Sequence, residues 1–160
     1  MPTQAEVTRR EVIAVLAGAG AVLASSAASS EETHAGHAAM AAAAPVSAEQ
    51  KAVIAATADC LRAGRVCLAH CTDHLAAGMA GMADCQRAVM NMLSVVGAMA
   101  DVAGYANATA ANLKALAATC AGFCDTCASA CEPHAAHHEE CAACRESCLA
   151  CVKACRALAA

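Results

Sequence analysis

Thirteen cysteines, all beyond residue 59, recur at steps of three and four residues. The densest runs are Cys120, Cys124, Cys127, Cys131 and Cys141, Cys144, Cys148, Cys151, Cys155, with Cys60, Cys67, Cys71 and Cys85 upstream. On a helix, those steps return every side chain to one face. A face that would ordinarily carry Leu and Ile carries sulfur instead. Residues i and i+4 stand about 5–6 Å apart at Cβ, so two thiolates can bend toward one ion and neighbouring helices can offer more.

Soft thiolate and thioether ligands select Cu(I), Zn or iron–sulfur clusters. Zinc takes four ligands in a tetrahedron, whereas single-face stripes supply pairs more readily than separate four-cysteine sites. Cys141-x₂-Cys144-x₃-Cys148 resembles ferredoxin spacing, but helix-forming Ala fills the gaps where a cluster-binding loop is required. Cu(I) accepts two or three sulfurs, and one singly charged ion per thiolate leaves the core neutral, which avoids a costly buried charge. Cu(I), several ions per chain, fits best. The alternatives are a zinc or general heavy-metal buffer and a cysteine-rich redox protein, either iron–sulfur or disulfide-exchanging. Cysteine as inert core filling would leave the last helix only Leu149, Val152 and Leu158 as large aliphatics.

The elements that position these thiols follow from composition. Ala dominates, there are three Pro, and the aromatics are Tyr105 and Phe123 alone, which points to an all-α chain. Ser47 and Gln50 predict a capping box opening a helix from about Ala48 to Ala77. Gly78-Met79-Ala80-Gly81 makes a turn, and a second helix runs from about Met82 to Ala103. A third spans about Ala108 to Glu132 and closes at Pro133. A fourth carries His134 and the last five cysteines to about Ala159. Short connections make neighbours antiparallel. The expected fold is an antiparallel up-down-up-down four-helix bundle with a cysteine-lined core over residues 47–160.

That topology gathers His74, His134, one of His137 and His138, Met79 and Met82 at one end, as secondary ligands around a mouth. His137, His74 and His134, with Met79 and Met82, are the candidates to pass an ion inward. His70 reads as a surface residue, and Met90, Met92 and Met99 read as core filling. Val53, Met99, Leu113, Leu116 and Leu158 form an apolar plug at the far end. Ile54, Leu61, Leu68 and Leu75 make a ridge suited to packing or assembly.

Residues 1–28 read as an export signal. Arg9 and Arg10 precede an apolar stretch from Val12 to Ala24, followed by small residues suited to cleavage. The stretch is shorter than the roughly 20 residues of a membrane span. Residues 29–46, with His34, His37 and Met40, read as a flexible arm or short helix. The expected location is therefore exported and periplasmic. The net charge of −4, with ten scattered basic residues, excludes a nucleic-acid footprint. No cysteine is singled out beside an orienting histidine as a nucleophile, so the expectation is a protein that is not an enzyme.

The run Cys120 to Cys131, the turn Glu132 to His138, and Cys141-Ala142-Ala143-Cys144 through Cys155 resemble the bacterial copper storage protein family. That family consists of cysteine-lined four-helix bundles with exported and cytosolic branches. The likeness covers about Ala48 to Ala160, and the paired arginines make it similar to the exported branch. It implies many Cu(I) ions inside each bundle, a homotetramer, and supply of copper to an enzyme client or chaperone. Two departures are Gly64, standing where a cysteine four residues after Cys60 would extend the stripe, and a second helix with Cys85 as its one thiol.

Overall fold

The computed structural model describes residues 45–105 and 107–160. The expected leader over 1–28, and His34, His37 and Met40 of the arm, lie outside them. The described residues form four α-helices and no strand: α1 Ala48–Ala76, α2 Ala83–Gly104, α3 Ala110–Ala135 and α4 Glu139–Ala159. A 3-10 turn over Ala80–Met82 leads into α2.

Local chemistry fixes the helix ends. Ser47 Oγ accepts the Gln50 N–H at 3.1 Å, which caps α1. Gln50 does not complete the expected box; its amide instead donates to Ala103 O at 2.7 Å. The last carbonyls of a helix lack intrahelical donors, and Gln50 supplies one to the end of α2. The chain leaves α1 through Gly78, whose φ of +85° only glycine adopts without strain. Met79 N–H then reaches back to His74 O at 3.0 Å, closing the helix end in the manner of a glycine C-cap. Thr109 Oγ1 accepts the Asn112 N–H at 3.2 Å, so α3 starts at a capping threonine rather than at Ala108.

Pro133 does not end α3. The helix continues to Ala135, and His134 therefore belongs to α3 rather than to α4. Proline in the last turn removes a single backbone bond just where the ladder is running out, and the carbonyl of His134 accepts from both His137 and His138 at 3.0 Å. Glu139 and Glu140 occupy the first turn of α4, where the helix dipole favours negative charge.

Cross-helix contacts set the register. Cys60 meets Met92 and Cys67 meets Cys85 between α1 and α2, while Cys60 meets Cys148 and Cys67 meets Cys141 between α1 and α4. All four helices are thus antiparallel to their sequence neighbours, as the short turns require. Gly64 lets α1 and α2 approach closely. A Cβ there would stand 2.7 Å from Met92 Cε and 2.9 Å from Leu93 Cδ2. A cysteine at that position would require the ends of the Met92 and Leu93 side chains to shift.

The core is small-chained. The largest fully buried side chains are Met92, Met99, Val53, Val89 and Val96, and all thirteen cysteines are fully buried. Each Val or Met stabilises the fold by roughly 1.5–3 kcal/mol, and a cysteine contributes less. Ala117 takes the buried place beside Leu113, and Leu116 and Leu158 pack only partly against the core. Leu61, Leu68 and Leu75 are likewise half-covered, and Ile54 is exposed. Met90, expected as core filling, is 52% exposed, because it falls outside the α2 stripe of Cys85, Val89, Met92, Val96 and Met99.

Candidate metal centre

The thiols stack along the bundle in groups. At one end the sulfurs of Cys67, Cys71, Cys85 and Cys141 lie within 4.8 Å of one another; Cys67, Cys131 and Cys144 follow, then Cys60, Cys124 and Cys148, then Cys120, Cys151 and Cys155. Cys127 Sγ stands 3.9 Å from Cys144 Sγ, and joins the stack between α3 and α4. All thirteen are free thiols. The closest approaches run from 3.5 Å for Cys85–Cys131 to 4.0 Å for Cys67–Cys85. A disulfide bond is about 2.05 Å long.

These separations suit a soft ion. With a metal–sulfur bond of about 2.3 Å, sulfurs 3.5–4.0 Å apart subtend roughly 100–120° at the ion. That is the range of trigonal and tetrahedral coordination. Close pairs mostly link different helices: Cys60–Cys148 at 3.7 Å, Cys67–Cys141 at 3.9 Å and Cys127–Cys144 at 3.9 Å. Cys151–Cys155, 3.9 Å apart on α4, shows the within-helix pairing that spacing predicts.

Protonation follows burial and the network. Burial pushes the Cys71 thiol up to about 12 and the Cys141 thiol up to about 11, because a bare thiolate is poorly solvated there. Deeper in, S–H groups donate to one another. Cys60 is held low chiefly by a bond from Cys124, and Cys144 chiefly by one from Cys127. Cys131 and Cys148 are pushed up, first by their bonds to Cys127 and Cys124 respectively.

The mouth lies where α1 ends and α4 begins. His70, His74 and His138 bring ring nitrogens within 4.8 Å of one another. His70 Nε2 is 3.1 Å from His138 Nδ1, and His70 Nδ1 is 3.4 Å from Glu140 Oε2. Met79 Sδ approaches His74 Nδ1 at 3.3 Å, and Met82 is buried nearby on the 3-10 turn. Partial desolvation, then the charges of His70, His74 and His134, push the His138 imidazole below its ordinary value. His134 stands further off, its ring centroid 6.3 Å from that of His138.

Two expectations change here. His137 is exposed, and its neighbour His138 occupies the mouth. His70, expected on the surface, is half-buried inside the cluster. Its i,i+4 relation to His74 was visible in the sequence. What hid it was the position beside the thiol stripe, which points at α4 only once the helices are packed.

The family model described as copper storage protein matches residues 46–160. A solved structure, described as copper loading to a cytosolic copper storage protein from Streptomyces lividans with five coppers, is 31% identical. It aligns with a TM-score of 0.58, over 69% of this chain and 94% of that one. A comparison with curated protein sequences found no match.

Proposed function

The chain belongs to the copper storage protein family and stores copper on its buried cysteines; from that premise we propose that the ion is Cu(I) and that it fills the bundle layer by layer. The observation that carries this reading is the unbroken stack of free thiols. It offers many soft ligands and little else, and one singly charged Cu(I) per thiolate leaves the core neutral. Filling proceeds from the mouth, where the imidazoles of His70, His74 and His138 with the Met79 thioether present nitrogen and sulfur ligands to an arriving cation. The ion then passes to Cys71, Cys85 and Cys141, and each thiol gives up its proton. The protein carries out no catalysis; its product is retained copper.

Arg9, Arg10 and the short apolar stretch after them support an exported protein that reaches the periplasm folded. Family likeness supports a homotetramer and a copper enzyme or chaperone as recipient.

Anaerobic titration of the reduced chain with Cu(I), against a high-affinity chelator, tests the reading. Saturation near one ion per cysteine with tight retention is the expected result. One observation favours a second reading. Cys67, Cys71, Cys85 and Cys141 form a four-thiol group of the kind zinc occupies. If Zn(II) competes with Cu(I) on equal terms and saturation stops at three or four ions, the chain is a zinc-type buffer.

A further inference from the structure

The second helix is poor in thiols, yet one of its methionines stands among them. Cys60 from α1, Cys124 from α3 and Cys148 from α4 bring three sulfurs within 4.8 Å of one another. In that layer α2 contributes Met92, whose Sδ lies 3.5 Å from Cys60 Sγ and whose side chain is fully buried. Two turns earlier on the same stripe, Cys85 fills the α2 place. Its thiol stands 4.0 Å from Cys67 and 3.5 Å from Cys131. Met92 therefore occupies in the middle of the bundle the position that Cys85 occupies near the mouth.

Resting on the Cu(I) reading above, we propose that Met92 is a copper ligand, completing with Cys60, Cys124 and Cys148 a four-helix site of three thiolates and one thioether. Sulfur chemistry favours a thioether here. It is a soft ligand that needs no deprotonation. A fourth thiolate in a dry layer would add another buried negative charge, whereas Met92 adds a donor and no charge. Local packing holds the sulfur inward. The Met92 methyl lies 2.7 Å from the point where a Gly64 Cβ would stand, so bare backbone on α1 receives the methyl while the sulfur faces Cys60.

Met99 marks the contrast. It continues the same buried stripe, but the α1–α2 register set by Cys60–Met92 and Cys67–Cys85 brings it level with Val53 rather than with a cysteine of α1.

The test uses the full chain labelled with selenomethionine, loaded anaerobically with Cu(I) and followed by selenium X-ray absorption. The expected result is a copper neighbour in the first shell of selenium that persists in Met79→Leu/Met82→Leu, which lacks the mouth thioethers, and vanishes when Met92→Leu, a volume-conserving change, is added to it. A shell unaffected by Met92→Leu overturns the proposal. So does normal filling of the wild type with no selenium–copper contact, which leaves the storage reading intact. A chain that takes up no Cu(I) sinks the storage reading and this site with it. Circular dichroism checks that Met92→Leu folds. If it does not, the Met79→Leu/Met82→Leu double variant decides, since its selenium–copper contact must then persist without the mouth methionines.

Discussion

Stability and copper capacity are carried by different layers of one bundle, and a matched pair of truncations separates them. Met99 is fully buried at the apolar end. Met99→Ala removes its side chain from a tightly packed site, at a cost of about 2–5 kcal/mol from lost transfer energy and the cavity left behind. For a domain of this size, each kcal/mol lowers Tm by roughly 4 °C, so the apo melting temperature should fall by about 8–20 °C. Cys148→Ala removes one sulfur whose neighbour is another thiol at 3.7 Å. That costs about 1 kcal/mol, or roughly 4 °C. Copper should answer in the opposite order. Met99→Ala keeps full capacity, whereas Cys148→Ala loses an ion from the middle layer. Thermal unfolding by circular dichroism on reduced, anaerobic apo protein, paired with Cu(I) titration of both variants, reads the two effects. The division is wrong if Met99→Ala sheds copper while melting like the wild type, or if Cys148→Ala unfolds the apo chain.

Four further outcomes follow from the structure. Because Cys71 and Cys141 are raised to about 12 and about 11, both are protonated at neutral pH. Filling the mouth layer should release their protons, and its Cu(I) affinity should rise with pH by up to about 100-fold per unit; a pH-independent affinity contradicts this. The same raised values make the folded apo state hold protons that the unfolded chain gives up above the ordinary thiol pKa of 9.0. Apo stability should therefore fall above that pH, by about 1.4 kcal/mol per unit for each such thiol, as urea midpoints would show. Gly64→Leu drives a side chain into Met92 Cε and Leu93 Cδ2, and should destabilise by about 1–3 kcal/mol, with an unchanged midpoint counting against close packing there. The His70→Ala/His138→Ala double variant should slow Cu(I) uptake roughly tenfold in stopped-flow mixing and cost at most one ion of capacity. Uptake at the wild-type rate would show that ions enter elsewhere.

The fold was legible because the cysteine stripes are helical stripes. Steps of three and four residues fix both the element type and its buried face, so Cys60 through Cys155 could be placed inward from spacing alone. Turn lengths then left only antiparallel neighbours. What spacing could not supply was the lateral relation between helices. His70 and His138 lie off the stripes and meet only because α1 and α4 cross at the mouth. Met92 lies on a stripe, where an ordinary core methionine also lies, and only the register that sets it against Cys60 distinguishes it from Met99. The vacancy at Gly64 reads in the sequence as a missing cysteine. What fills that place is a neighbour's methyl group, which no single-helix pattern contains.

A core built this way reverses the usual relation between packing and binding. In an ordinary bundle, large aliphatic side chains supply the stability and a site is carved out at some cost to them. Here the middle of the bundle holds short thiols whose mutual contacts, at 3.5 to 4.0 Å, are weak donors and acceptors. Helix propensity of the Ala-rich faces, the caps at Ser47 and Thr109 and the apolar layer at Val53 and Met99 must hold the apo form together. Metal bound to the native state alone then stabilises it by mass action, about 2.7 kcal/mol for each site filled a hundredfold above its dissociation constant. Several filled sites would exceed the 5–15 kcal/mol typical of a whole domain. The loaded bundle is thus expected to unfold only after copper leaves, so release must proceed through the folded protein, ion by ion, from the layer nearest the mouth.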